Sequence, residues 1–385
     1  MSVLTGQPNY PSGKHYPGHG WLRPVRSTFG QVTIHRVPIL PRGRGGAVRL
    51  AMNYLSFVVS ASLLGPFLAR GRFDAIICFV LSPVTAALPA ILLRGIKRRP
   101  LALWVQDLWP ESVSAAGGPR SRLVLAALHR LVSFIYRHAE MFWVPSRAFA
   151  PAITRYGIPQ SRIVYLPNSA EDFYNSPTRT RSRNASGETF SIAYAGNMGE
   201  AQGLELVLEA AAQIPPSHGI HWILIGDGRR REWLVEQVKI RNLGQVSIRD
   251  RLPPERMPEV LAEADALLVS LRDDPLFALT VPSKLQSSLA SGKPILAVLA
   301  GAGASIVEEA GAGLVVTPGN SAALAQAAIC LAGLPIERRR EMGAAGREYY
   351  LKHFDRELVY GRLEEELKRL CARGRRQGRE QPDQG

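Results

Sequence analysis

Three stretches in the second half of the chain combine glycine or proline with groups that suit an anion. The first is Tyr194-Ala195-Gly196-Asn197-Met198-Gly199, with Gln202-Gly203-Leu204 opening a predicted helix. Glycine lets backbone approach a ligand closely, and unpaired N–H groups at a helix start point at phosphate. A tight strand-to-helix turn would use the same glycines. The second is Ile225-Gly226-Asp227-Gly228, running into Arg229, Arg230 and Arg231. A guanidinium there can pair with a diphosphate through two parallel hydrogen bonds. Three solvated charges are the plainer reading, although cations in a first helical turn oppose the helix dipole. The third is Thr280-Val281-Pro282-Ser283-Lys284-Leu285-Gln286. Proline is common at a helix start, but Lys284 in that turn again suits a bound anion. In the first half, Asp107 follows an apolar strand in Val105-Gln106-Asp107-Leu108-Trp109. A carboxylate at a strand C-terminus can orient a hydroxyl or take its proton, or merely cap the next turn. Asp273-Asp274 reads as a solvated loop. No metal and no other cofactor is expected, because no Asp-x-Asp or His cluster has ligand spacing and helix N-termini, Arg and Lys can neutralise an anion instead.

The elements that must position these residues alternate. Strands are predicted at 2–6, 32–37, 75–79, 101–105, 141–144 and 163–166. Helices are predicted at 47–69, after Pro83, over 120–137 and from Ser146 to Gly157. Residues 175–187 are polar and without periodicity. Further strands fit 191–195, 222–225, 246–249, 266–270, 295–298 and 314–316, and helices near 337–350 and 356–373 end the fold. Repeated βα units imply parallel sheets covered by helices. The predicted class is α/β, two doubly wound Rossmann-like domains with ligands at the strand C-termini, facing a cleft. The expected boundaries are 1–170, a linker at 171–188, 189–352, a last helix at 353–373 that packs back on the first domain, and a disordered tail at 374–385.

Composition narrows the partners. The 385 residues carry a formal charge of +15, with 47 Lys and Arg against 32 Asp and Glu, which calls for an anionic partner. The arginine clusters lie among apolar segments without the aromatic interleaving of nucleic-acid modules, so no nucleic acid is expected. Cys78, Cys330 and Cys371 have neither disulfide nor metal spacing. No secretory signal is visible, so the Asn184-Ala185-Ser186 sequon is read as coincidence. Residues 51–69 are uncharged and read either as a helix resting in a membrane interface or as a core helix.

GDGRRREWL, the Pro282-Ser283-Lys284 turn with ASGKPIL, and EEAGAGLVVTPGNSAALAQAA resemble the donor domain of family 4 retaining GT-B glycosyltransferases. VQDLWPESV and VPSRAFAPAITRYGIPQSRIVYLPNS resemble that family's acceptor domain and its exit. LTGQPNYPSG, DLWPES and DDPLFALTVPSKLQ are similar to the branch acting on lipid-linked sugars in bacterial O-antigen and capsule assembly. The resemblance spans roughly residues 2–370. It implies transfer from a nucleotide-sugar, UDP-linked, to a lipid-diphosphate-linked sugar or other saccharide at the cytoplasmic face of the inner membrane. Gly196, Gly199, Arg231 and Lys284 would face the donor diphosphate, with Asn197, Arg229, Pro282 and Ser283 beside it and Gln286 or Ser287 near the ribose. The family commonly has two glutamates where this chain has Leu279 and Ser287, and often a histidine where it has Gln106. Asp107 becomes the expected catalytic residue, and Asn9, Tyr10, Gln106 and Trp109 the expected acceptor contacts. A non-hydrolysing nucleotide-sugar epimerase and a non-catalytic membrane- or polyanion-binding relative remain the rival readings.

The opening, MSVLTGQPNYPSGKHYPG, reads as a strand and a display loop with no preceding neighbour. In the family a strand, a glycine loop and a helix come before this segment. The expectation is therefore a first domain lacking its first βα unit, with a gap in its sheet, and about 30 residues missing upstream. A truncated, inactive copy is the alternative.

Overall fold

A computed structural model describes residues 1–10, 12–43, 46–115, 121–174 and 189–379. The expected linker at 175–187, the sequon and the last six residues lie outside them. The chain forms two units. One comprises Met1–Val144, Ala150–Tyr165 and the chain from Leu363 onward; the other comprises Pro145–Phe149 and Leu166–Arg362. The last helix, Arg356–Arg379, thus begins in the second unit and continues past residue 373, where the sequence suggested a tail.

The first unit contains two sheets. One has the order β1-β3-β2, formed by β1 (Ser2–Gly6), β2 (Val25–Phe29) and β3 (Val32–Val37). The strand β2 was not legible in the sequence. It pairs antiparallel with β3 alone and leaves Arg26, Thr28 and Phe29 exposed. An edge strand held from one side needs no apolar run. The other sheet is β4 (Ile76–Val80), β5 (Leu101–Val105), β6 (Met141–Val144) and β7 (Ile163–Tyr165), all parallel. No ladder joins β1 to β4 among the described residues, so each of the two presents one unpaired edge.

The Ala47–Leu68 helix packs on β1, on β3 and on the neighbouring Ala87–Lys97 helix. Gly65 makes this approach possible: a Cβ there would sit 2.9 Å from Leu4 Cδ2. Asn53 and Ala61 are buried on the packed side. Under the second sheet lie Leu101, Leu103, Phe142 and Trp143, all fully buried.

The second unit is one six-stranded parallel sheet of order β10-β9-β8-β11-β12-β13. Its strands are β8 (Phe190–Ala195), β9 (Ile220–Ile225), β10 (Val246–Arg249), β11 (Ala266–Ser270), β12 (Ile295–Val298) and β13 (Gly313–Val316). Helices follow most strands, as the right-handed crossover of parallel strands demands. Tyr194, Trp222, Leu224, Leu268 and Leu296 form its core.

One polar group is built into the first unit's framework. Glu140, just before β6, accepts from Arg94 Nε at 3.0 Å and Nη2 at 2.5 Å through one oxygen. Its other oxygen accepts from the Leu101 backbone N–H at 2.6 Å, where β5 begins. The carboxylate thus joins a helix to two strands. A buried donor left unpaired costs its full desolvation, but Arg94 is partly exposed, which discounts the ion pair. Glu140→Ala is expected to destabilise the protein by about 2–3 kcal/mol, read as a lower urea midpoint with an unchanged slope.

Candidate functional site

In the second unit the predicted glycine turns meet. Gly196 (φ +137°) and Gly226 (φ +150°) both adopt backbone that L side chains rarely take, and a Cβ on Gly226 would collide with the Gly196 carbonyl. The turns are laced by backbone bonds from Gly196 N–H to Ile225 O at 2.9 Å and from Met198 N–H to Asp227 O at 2.8 Å. These bonds hold the C-terminal ends of β8 and β9 together as a bare backbone floor.

Lys284 lies on that floor. It comes from the first turn of the Ser283–Ala290 helix, whose N-cap is Pro282. A Cβ on Gly196 would overlap its Cε. Its Nζ donates to the Tyr194 hydroxyl and stands 4.1 Å from the centre of the Tyr194 ring. Tyr194 is fully buried and donates in turn to the Asn197 carbonyl at 2.5 Å. Burial pulls the Lys284 ammonium down to about 7 and pushes the Tyr194 phenol up. Among the described residues no carboxylate pairs with Lys284. A cation without a counter-charge, beside a backbone floor and a helix N-terminus, suits an anionic ligand. The sequence did not point to Tyr194. The available signal was a tyrosine two residues before Gly196, a buried hydroxyl in need of a partner.

The other predicted donor residues fall out differently. Asn197 is exposed at the turn, its amide donating to Gln202 Oε1 at 3.2 Å. The Gly199 N–H is taken by Gln202 Oε1 at 3.0 Å, and the helix proper starts only at Glu205. Gly199 is therefore a capped turn rather than an open anion donor. Arg229 is exposed; Arg230 lies 3.9 Å from the Trp233 ring centre; Arg231 is ion-paired with Asp250, which sits just beyond β10. Arg231 is thus already engaged by a carboxylate, a correction to the expectation that it faces a diphosphate. Gln286 requires a second correction. It is fully buried, with its amide placed to donate to the Pro282 and Ser283 carbonyls at 2.9 and 3.1 Å. It secures its own helix and cannot reach a ribose. Ser283 is exposed, and Ser287 is half-buried and hydrogen-bonds Tyr174, a residue sequence reasoning missed. Leu279 ends the Pro275–Leu279 helix, which Asp274 caps through a 2.9 Å bond from the Leu276 N–H. Asp274 is accordingly a cap and not part of a loose solvated loop.

In the first unit Asp107 lies just past β5 and is partly buried. Burial lifts its carboxyl to about 6, against the pull of Ser112 and the Leu108 backbone. That suits a group asked to hold or take a proton near neutrality. Gln106 donates its backbone N–H to Val80 O at 2.9 Å, holding β5 to β4. Trp109 is half-buried, and its indole N–H has no partner among the described residues. Tyr10 is exposed. Asn9 is the third correction: it is buried, its Oδ1 accepts from the Arg42 backbone N–H at 3.3 Å, and its Nδ2 donates to Gln7 O at 3.2 Å. It ties two loops together and is not presented to a ligand.

The Lys284 arrangement fixes a pH dependence. Only the ammonium form attracts a diphosphate, and half of it is lost near pH 7 in the empty site. UDP affinity measured by calorimetry is expected to fall as pH rises from 7 to 9, approaching tenfold per unit. Lys284→Met should weaken binding and flatten that dependence. Gly196→Ala should weaken binding comparably, by straining the turn and displacing Lys284.

Family comparisons match this division. Residues 189–333 match the model described as Glycosyl transferases group 1, and residues 1–169 match that described as Glycosyl transferase 4-like domain. The chain is 30% identical over 296 residues to WbjE of Pseudomonas aeruginosa, named as a glycosyltransferase, covering 72% of this chain and 70% of WbjE. It is 24% identical over 311 residues to WcaI of Escherichia coli, named as a colanic acid biosynthesis glycosyl transferase, covering 76% and 73% of the two. Among solved structures, sucrose-phosphate synthase from Thermosynechococcus elongatus superposes with a TM-score of 0.73 at 17% identity, over 96% of this chain and 89% of that one. Anabaena Alr3699/HepE, solved with UDP-glucose, superposes at 0.63 and 19% identity, over 86% of each chain. Two Rossmann-like units, the GT-B fold and these matches together establish that the chain belongs to the group 1, family 4-like glycosyltransferases.

Proposed function

We propose that this glycosyltransferase is a retaining hexosyltransferase that moves a sugar from a UDP-linked donor onto a lipid-diphosphate-linked saccharide. It acts in assembly of a surface polysaccharide such as O-antigen, as a peripheral protein on the inner face of the bacterial cytoplasmic membrane. The observation that carries the reading is Lys284, a buried ammonium without a carboxylate partner over the Gly196 turn. In this reading the acceptor hydroxyl oxygen bonds the anomeric carbon as the bond to the UDP oxygen breaks, with anomeric configuration kept. Asp107 takes the hydroxyl proton, and Lys284 neutralises the departing diphosphate without a metal.

The lipid acceptor and the membrane are supported by charge and by one helix. Residues 1–106 contain 13 Lys and Arg and a single carboxylate, Asp74, so +12 of the chain's +15 lies there. The Ala47–Leu68 helix exposes a stripe of Val48, Met52, Leu55, Val59, Leu63 and Phe67 opposite its packed side. A 21-residue part of it, Val48–Leu68, is long and apolar enough to cross a membrane. Because its other face packs on β1 and β3, an interfacial position is the one we propose.

The test is incubation with UDP-sugars and a short-chain prenyl-diphosphate monosaccharide, with products read by mass spectrometry and anomeric configuration by NMR. A disaccharide with the donor's configuration, formed equally well in EDTA, is the expected product. An epimer of the donor sugar appearing without acceptor would sink the transferase reading. Transfer should decline below pH 6 as Asp107 becomes protonated, and Asp107→Asn should lower kcat by about 10²-fold or more.

A further inference from the structure

In the first unit the structure fixes a cation that no sequence motif singled out. Arg42 lies in the connection between β3, which ends at Val37, and the Ala47–Leu68 helix. Its guanidinium carbon stands 5.6 Å from the Tyr54 ring centre and 5.7 Å from that of Tyr10. Its Nε donates to Asn53 Oδ1 at 3.4 Å, and Asn53, which is buried, is fixed by donating to Leu40 O at 2.5 Å. Its backbone N–H is held by Asn9. Main chain, Nε and cation are therefore all held in place. Among the described residues, its two terminal nitrogens have no hydrogen-bond partner, and the side chain is only half-buried. Aromatic rings attract the cation without consuming its in-plane N–H groups, which remain a planar fork for two oxygens. Burial raises the pKa of the Tyr54 phenol, while the charge of Arg42 lowers it and that of Asp107 raises it.

We propose that Arg42, steadied by Tyr10, Tyr54 and Asn53, is the phosphate-binding residue of the acceptor unit and takes the diphosphate that joins the acceptor sugar to its lipid. This rests on the lipid-diphosphate reading above and adds the residue that recognises it. Three features favour a phosphate over a neutral sugar group. The fork matches paired phosphate oxygens. Arg42 has no carboxylate ion-pair partner among the described residues. Residues 1–106 carry 13 Lys and Arg against one carboxylate, Asp74, so the net field of this stretch draws anions even with Asp107 following it. The arrangement also gives Tyr10 a different part from the sugar contact expected of it: an exposed ring that positions a cation.

The experiment is binding of citronellyl diphosphate, by calorimetry, to the whole protein saturated with UDP. The wild type is expected to bind, and Arg42→Ala to lose at least about tenfold of that affinity. Arg42→Lys should recover only part of it, because the charge returns without the fork. UDP affinity within twofold of wild type shows that each variant is folded. Absence of citronellyl diphosphate binding to the wild type overturns the inference, as does binding that Arg42→Ala leaves intact. Should the wild type bind the diphosphate through Arg42 yet transfer nothing to prenyl-diphosphate sugars, the site stands and the acceptor reading falls. Transfer to such acceptors that is equally efficient in Arg42→Ala leaves the reading standing and removes Arg42 from it.

Discussion

The second unit depends on two close turns of backbone, where a side chain on Gly226 would strike the Gly196 carbonyl and one on Gly196 would strike Lys284. Gly196 and Gly226 meet at the ends of adjacent parallel strands, and their contact creates a surface on which a lysine lies beside main chain. Lys284 fills that surface, and Tyr194 beneath it supplies the oxygen that makes burial of its amine tolerable. The same burial weakens its hold on a proton, so the site is poised for an anion that restores it. A catalyst that must steady a departing diphosphate gains from a charge that is desolvated and fixed before the ligand arrives.

Parallel strands impose a further economy. All six strands of the second unit end on the same side, as do the four of β4 to β7, so loops far apart in sequence are delivered to one edge. In the second unit that edge collects the turns after β8 and β9. In the first, the parallel strands β1 and β3 of one sheet lead into the loops bearing Tyr10 and Arg42, and β5 of the other sheet leads into Asp107. The two units therefore solve a similar problem differently. In our proposals one meets phosphate with backbone and a desolvated lysine, and the other with an arginine steadied by aromatic rings and amides.

Charge is divided as unevenly as chemistry. The first 106 residues hold most of the excess positive charge, together with a helix that is packed on one face and apolar on the other. A small region with both properties is suited to an anionic, partly apolar partner.

Much of the framework was legible in the sequence, because apolar periodicity and turn chemistry are local properties. The strands at 32–37, 101–105, 141–144, 246–249, 266–270 and 295–298 end where alternation and glycine or proline indicate. The Gly196 turn and Lys284 were legible for the same reason, since a glycine turn and a helix start announce themselves within a few residues. What a side chain touches is decided by distant chain. Gln286 and Ser287 are neighbours, yet helical geometry buries one completely and leaves the other reachable. Arg229 and Arg231 look alike in sequence until the end of β10 supplies Asp250 to one of them. Asn9 looked displayed and is instead a buried tie to residue 42. The Arg42 cluster draws on residues 10, 42, 53, 54 and 107, a combination no window of sequence contains. Composition and local pattern determined the α/β class, the glycine turns and the place of Lys284 at a helix start; only tertiary packing decided which cations and amides are already paired or buried, because that depends on counter-charges and burial brought from elsewhere in the chain.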